Sequence, residues 1–514
     1  MKVNNITIVG GGTSGWMVAS ALNKIFPQYN ITLVESPNVP TVGVGESTLL
    51  LFNEFLRMID LKDEEWMKEC DATYKNNIRF VDFKEKGHTF DYPFGGDRGN
   101  KYTQPWTHIQ SAYSLPTGES YCEFCTGHNY FLGKYNRNTK DDGGGILHDF
   151  NFDDNTAYHL DAVKFANYLK NNCCDRVEHY QDTIVGVEKD EDGYITKLIG
   201  EDDEFEADLF VDCTGFKSIL LEKEMGSKFL SYEQWLSNDS AIAARVPYTD
   251  KPNQLKNSTT CTGLNNGWVW NVPTWSRMGS GYVYSSKFVD DETAEKEFRE
   301  HVGIEDIEVR KIPFKHGVHE KGWIKNVCAV GLSYGFVEPL ESTALNSTLI
   351  TLKRLGDILS RKGHSINGFD IDGFNYSCQA HMDNFMRFVA LHYKLTSRDD
   401  TPFWRAQQER DWFNVDMTGF YEHMKPHGVP LKSYERLHFN HTLFNSWPLY
   451  EGEGDGPYYI MAGMGYSPYG NGWVQKTDNL QHLYEEWQEK VKASVEYVKT
   501  LPTAYEFMKQ TIYG

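Results

Sequence analysis

The segment from Asn5 to Glu35 constrains the fold more than any other part of the chain. A short β-branched run, Asn5 to Val9, meets a glycine cluster at Gly10, Gly11 and Gly12, and Gly15 then opens an apolar helical stretch from Trp16 to Ile25. A second β-type run, Ile31 to Val34, ends at Glu35, about twenty residues beyond Gly15. Strand, tight turn, helix and a second strand closed by an acid make the βαβ spacing of a dinucleotide site. A GxGxxG pattern alone is weak, but here each neighbouring element that it requires is present. Gly10 permits the turn, Gly12 lets the backbone approach a pyrophosphate, and Gly15 allows close helix packing, while the helix N-terminus offers unpaired N–H groups to the phosphates. Glu35 is placed to accept hydrogen bonds from an adenosine ribose. A carboxylate there disfavours a 2′-phosphate, so FAD or NAD is expected rather than NADP.

Composition narrows the class further. At 514 residues the chain is long enough for roughly three domains or one large fold with insertions. With 40% hydrophobic and 14% aromatic residues it has the apolar material for an extensive core. Its formal charge of −21 repels nucleic acid and anionic membranes. No run approaches the ~18 apolar residues of a membrane span, and no signal-peptide pattern opens the sequence, so a cytoplasmic location without membrane or nucleic-acid partners is expected. Nine cysteines scattered from Cys70 to Cys378 suit a reducing compartment and form no disulfide framework. Cys122 and Cys125 form a single CxxC without the second pair that a zinc site requires, and are expected as two reduced cysteines in a loop. Cys173 and Cys174 are expected near the end of a helix. His316 and His319 flank Gly317 with no completing carboxylate, so surface or strand histidines are expected and no metal.

Downstream, Ile184 to Val187 and Ile195 to Ile199 alternate about Asp192-Gly193 as a hairpin, after a helix from about Asp161 to Asn171. Ala207 to Gly215 reads as a buried strand running into a glycine turn. Beyond residue 350 the pattern is mainly helical, as in Phe374 to Leu395, and from Pro402 onward it is rich in aromatic residues and histidine. No internal repeat is visible. The expectation is an α/β protein with a nucleotide-binding body and a helical, aromatic-rich cap.

Several segments together resemble the flavin-dependent halogenases of the tryptophan halogenase family. They are IVGGGTSGW at 8–16, VGVGEST at 42–48, DATYKNNIRF at 71–80, AYHLDA at 157–162 and DLFVDCTGF at 208–216. WVWNVP at 268–273, GFVEPLEST at 335–343 and LHYKLTSRDDTPFWR at 391–405 continue them, so the likeness covers almost the whole chain in the family's order. The resemblance implies a Rossmann-like, flavin monooxygenase-type FAD-binding fold. It implies an FAD-binding α/β body over 1–360, with a substrate-side insertion near 85–150, and a mainly helical substrate-binding region over 361–514. FAD contacts are implied at Gly10, Gly12, Thr13, Ser14, Gly15, Glu35, Gly45, Glu46 and Gly331. Lys75 matches the lysine that directs hypohalous acid and Glu341 the active-site glutamate, with Glu338 a competing acid that is expected to be structural. Backbone N–H groups of Thr343 and Ala344 match the halide site. Trp268 and Trp270, two apart on a strand, match the pair that separates flavin from organic substrate.

Read without the resemblance, Lys75 is an ordinary solvated lysine, Glu341 a solvated or capping acid, and the two tryptophans core packing. Two positions depart from the family pattern. Val272 replaces the usual isoleucine before Pro273, a loss of one methylene that should matter little. Ala344 replaces glycine, which would be strained if the turn required φ > 0.

The implied reaction uses FADH2 from a separate flavin reductase, O2 and a halide such as chloride or bromide. Hypohalous acid is made and directed by Lys75 to an electron-rich, indole- or phenol-like aromatic. No second GxGxxG indicates a resident NAD(P)H site, so reversible FAD binding and a transient reductase partner are expected, and a homo-oligomer is compatible. An FAD-dependent aromatic hydroxylase or a flavin reductase on the same fold is the alternative, and a non-enzymatic flavin-binding protein a third reading. The segment Phe444 to Tyr466 does not resemble the family's pattern for holding free tryptophan, leaving substrate and halide open. Tyr458 and Tyr459 are expected to pack the cap.

Overall fold

The structure is a computed structural model and describes residues 1–38, 43, 45–95, 103–126, 129–147, 150–361, 365–410, 456–466 and 472–514. Two compact units are present, and the chain enters each of them three times. The first comprises residues 1–72, 160–233 and 315–385, the second 73–159, 234–314 and 386–514.

In the first unit, β1 (Asn5–Val9), helix α1 (Thr13–Ile25) and β2 (Asn30–Glu35) take the order and places that the sequence predicts. β1 is central in a six-stranded sheet, paired in parallel with β2 on one side and with the strand Leu209–Asp212 on the other. β2 in turn pairs in parallel with Val177–Gln181, and Leu209–Asp212 with Val327–Ala329. Ile6, Ile8, Leu33, Leu209, Phe210, Val211 and Val327 are all buried. Such unbroken apolar runs are what strands covered on both faces require. The expected helix before the hairpin runs Ala162–Asn172, held at its start by Asp161, whose carboxylate accepts from the N–H groups of Val163 and Lys164. Ile184–Lys189 and Ile195–Gly200 form the expected antiparallel hairpin, with Gly193 at φ +79° in its turn.

The second unit is built on a seven-stranded sheet. Its strands lie in the order Val309–Pro313, Ser240–Pro247, Arg277–Tyr284, Gly267–Pro273, Ser258–Gly263, Asn77–Val81 and Thr89–Pro93. One face carries Ile242, Val269, Tyr282 and Tyr284 onto Ala294 and Phe298 of the helix Asp291–Val302. Alternation along the strand therefore puts Trp268 and Trp270 on the opposite face. The aromatic tail is helical where it is described, including Gly456–Gly463 and Asp478–Thr500. Tyr458 and Tyr459 are buried, and Tyr459 stacks on Tyr92 and meets the edge of Tyr121, as core residues do. Residues 444–455 of the segment singled out for its departure from the family lie outside the described residues.

Two expectations need correction. Cys122 and Cys125 lie buried on the helix Thr117–Cys125, not in a loop, because the apolar side chains around them continue with helical spacing. Of the histidines expected at the surface or on a strand, His319 is on the strand Gly317–His319 as expected, but it is buried, and His316 is buried just ahead of that strand, accepting from the Glu338 N–H through Nδ1. No described helix is long and apolar enough to cross a membrane.

Candidate active site

In the first unit the glycine turn has little room for side chains except at one point. A Cβ at Gly10, which has φ +114°, would run into the Cys213 carbonyl, and one at Gly15 into the Gly10 carbonyl. Gly12 faces open space, and as N-cap of α1 it supplies no side-chain cap to the first-turn N–H groups, which include those of Thr13, Ser14 and Gly15. An open cradle before uncapped amides fits a pyrophosphate. Gly331, at φ +72°, packs against Ser14 and Thr348, whose hydroxyls lie 3.0 Å apart. The structure thus gathers Ser14 and Gly331 at the start of α1, although they are far apart in sequence.

Glu35 closes this end of the site, and here the sequence reading missed its partners. Lys170 Nζ and His179 Nε2 each lie 2.8 Å from Glu35 Oε1, while Oε2 is turned toward Gly11. Lys170 also sits over the Trp16 ring, and His179 packs against it. Both residues are over a hundred positions from Glu35, so no local pattern announces them. Two partners on one oxygen fix the carboxylate and leave the other oxygen facing the turn. Lys170→Ala is therefore expected to raise the FAD dissociation constant about five-fold, the equivalent of ~1 kcal/mol for a partly exposed ion pair, in a flavin fluorescence titration. An unchanged constant would remove Lys170 from the site.

Glu46 and Glu341 of this unit lie near a second helix start. Gly45 has φ +125° and precedes Glu46, whose carboxyl is pushed up to about 7 by burial and by the neighbouring Asp161 charge. Glu341 is buried and ends the short turn Pro339–Glu341. Ser342 follows in the left-handed region at φ +57°, a conformation that costs a non-glycine residue about 1–2 kcal/mol. Its hydroxyl bonds to Ser47 at 3.0 Å instead of capping the helix Thr343–Leu359 that it precedes. Thr343 Oγ1 turns back to the carbonyls of Val337 and Glu338. The helix accordingly starts without a side-chain cap, which leaves a partial positive charge suited to an anion. Ala344 is the second residue of that helix, so the left-handed position is Ser342 and alanine carries no backbone strain.

In the second unit Lys75 ends the strand Thr73–Lys75 and is fully buried, its ammonium 4.8 Å from the Phe94 ring centre. A solvated lysine is thereby ruled out. The strand pairs antiparallel with Ala157–Leu160, setting Thr73 opposite His159 and Lys75 opposite Ala157. Trp268 is buried and Trp270 partly exposed on Gly267–Pro273, with ring centres 6.2 Å apart. The Trp270 ring lies over Gly281, where any side chain would collide with it. Lys75 and the two tryptophans thus belong to this unit, and Glu341, Thr343, Ala344 and the glycine turn to the first. Among the described residues no group of three or more His, Cys, Asp or Glu gathers as a metal site.

A mainly parallel sheet with this βαβ turn and fixed acid defines a dinucleotide-binding protein of the Rossmann type. The tryptophan halogenase family profile matches residues 5–441, and the chain belongs to that family. It is 34% identical over 424 residues to the 7-chloro-L-tryptophan 6-halogenase KtzR of Kutzneria sp. strain 744, covering 79% of this chain and 82% of that protein. Among solved structures, VirX1 superposes with a TM-score of 0.88 at 38% identity over 100% of both chains. Tar14, a tryptophan C-6 flavin-dependent halogenase from taromycin biosynthesis, superposes with a TM-score of 0.84 at 31% identity over 98% of this chain and 99% of that chain, and the tryptophan 6-halogenase SttH of Streptomyces toxytricini with a TM-score of 0.85 at 31% identity over 99% of both chains. The protein is a flavin-dependent enzyme that halogenates aromatic substrates.

Proposed function

We propose that the chain is a two-component halogenase that takes FADH2 from a separate reductase and delivers an electrophilic halogen to an indole- or phenol-like substrate through Lys75. The observation that carries this reading is the complete burial of the Lys75 ammonium on a strand tied to the tryptophan-bearing strand. An ionisable side chain taken wholly out of water beside an aromatic ring is a functional-site candidate.

Gly10, Gly12, Thr13, Ser14 and Gly15 hold the cofactor's phosphates, Glu35 its ribose, and Gly45, Glu46 and Gly331 complete its bed. Bound FADH2 supplies, with O2, the oxidising power that converts halide to hypohalous acid. The amides of Thr343 and Ala344 hold the halide at the helix start. Lys75 donates a hydrogen bond to the oxygen of hypohalous acid. As the carbon–halogen bond forms, the halogen–oxygen bond breaks and the oxygen leaves as water with the proton from Lys75. The displaced ring proton goes to Glu341, and proton return to Lys75 closes the cycle. Trp268 and Trp270 bar the organic substrate from the flavin, which a hydroxylase would not do. The absence of a second GxGxxG supports the separate reductase. Relatives named for tryptophan and chlorotryptophan support an indole-like substrate.

The test is mass spectrometry on aromatic substrates incubated with the protein, FAD, a flavin reductase, NADH, O2 and one of chloride, bromide or iodide. A reductase-only control and catalase remove free-solution chemistry. A halogen mass shift that requires the protein is expected. An oxygen mass shift in its place would establish the hydroxylase.

A further inference from the structure

Beside Lys75 lies a buried hydrogen-bond chain to which neither the family's motif pattern nor the mechanism above gives a task. Thr73 Oγ1 is 2.6 Å from the carbonyl of Pro273, which can only accept, so the threonine proton is committed there. His159 Nδ1 lies 3.3 Å from the same Thr73 oxygen and must therefore be the donor. His159 Nε2, 2.9 Å from Thr259 Oγ1, is left as the acceptor from that hydroxyl. One proton arrangement thus satisfies every group in the chain, with the ring neutral. Burial, and then the Lys75 charge, push the His159 pKa well below its ordinary value and hold the ring in that form. Thr73, His159 and Thr259 are all buried.

The chain ties a short strand to two others. Thr73–Lys75 is three residues long, too short to keep its place by ladder bonds alone. Its outer residues, Thr73 and Lys75, project to one face, and Tyr74 to the other, where it packs on Phe152, Tyr158 and Phe507. The polar face is tied through His159 to Ser258–Gly263 by Thr259, and through Thr73 to the end of the tryptophan strand at Pro273. We propose that His159 is a positioning residue for Lys75, the imidazole locking the face of the strand from which the ammonium projects. The inference rests on the role proposed for Lys75, yet its first test does not require halogenation.

That test is competitive acylation of the flavin-free protein, read by peptide mass spectrometry. Lys75 labelling in His159→Leu is expected to rise about ten-fold relative to Lys394, a partly buried lysine of the same unit. Thr259→Val, which removes the Nε2 bond and keeps His159 in place, should raise it less, and carries the test if His159→Leu does not fold. In turnover, His159→Leu should lower halogenated product per FADH2 about ten-fold at unchanged FAD affinity and unchanged KM for the aromatic, with part recovered in His159→Asn, which retains a donor toward Thr73. Wild-type labelling of Lys75 in folded variants would overturn the inference. Absence of product from the wild-type protein would overturn the halogenase reading while leaving the labelling result to stand by itself.

Discussion

Lys75→Ala is expected to abolish halogenated product, a loss of at least about 10²–10⁴-fold, while flavin binding and peroxide release continue. The residues proposed to hold the cofactor, the glycine turn, Glu35 and Gly331, do not include Lys75, so cofactor affinity is expected to hold. Folding is not the obstacle either. A fully buried ammonium is held at a desolvation cost, and an apolar side chain of similar volume in its place is often neutral or stabilising. Lys75→Met keeps that volume and serves as the control for a cavity left by alanine. Product and hydrogen peroxide are measured in the same reaction with the same reductase. Peroxide at the wild-type level without product locates the loss after oxidant formation, whereas normal product from either variant would end the assignment of Lys75.

Glu341→Gln is expected to lower turnover by about 10²–10⁴-fold with FAD affinity changed less than about two-fold. Glutamine matches the size of the buried side chain and removes its capacity to take a proton. Glu338→Gln is the internal comparison. Glu338 is buried in the same turn, and exchanging its carboxylate for an amide changes the hydrogen-bond capacity of a side chain that has no water to turn to, so this variant should lower the melting temperature more than the rate. Equal turnover per folded molecule in Glu341→Gln, with stability alone reduced, would make Glu341 structural and move the proton acceptor elsewhere.

The βαβ turn was legible because it is local. Its strand, glycines, helix and acid lie within Asn5 to Glu35, and each carries its own backbone requirement. The hairpin about Gly193 and the helix beginning at Ala162 were legible for the same reason, through alternation and capping. The effect of Ala344 was not. Whether alanine is strained there depends on which residue takes the left-handed conformation, and only the backbone shows that Ser342 does so.

Lys75 marks the same division more sharply. From residue type and neighbours it is a solvated lysine, because local sequence carries no measure of burial. Its strand has to pair with residues 157–160 and be bonded to Pro273 before the ammonium loses its water. Likewise Glu35 was recognisable as the acid that closes the βαβ spacing, but Lys170 and His179, which fix its rotamer, arrive from a helix and a strand more than a hundred residues away. By itself the sequence determined the elements whose signals repeat within a turn or a strand, and with them the class of cofactor. The tertiary structure decided which side chains lose solvent and which polar groups meet, since burial and hydrogen-bond partners are set by contacts between distant segments.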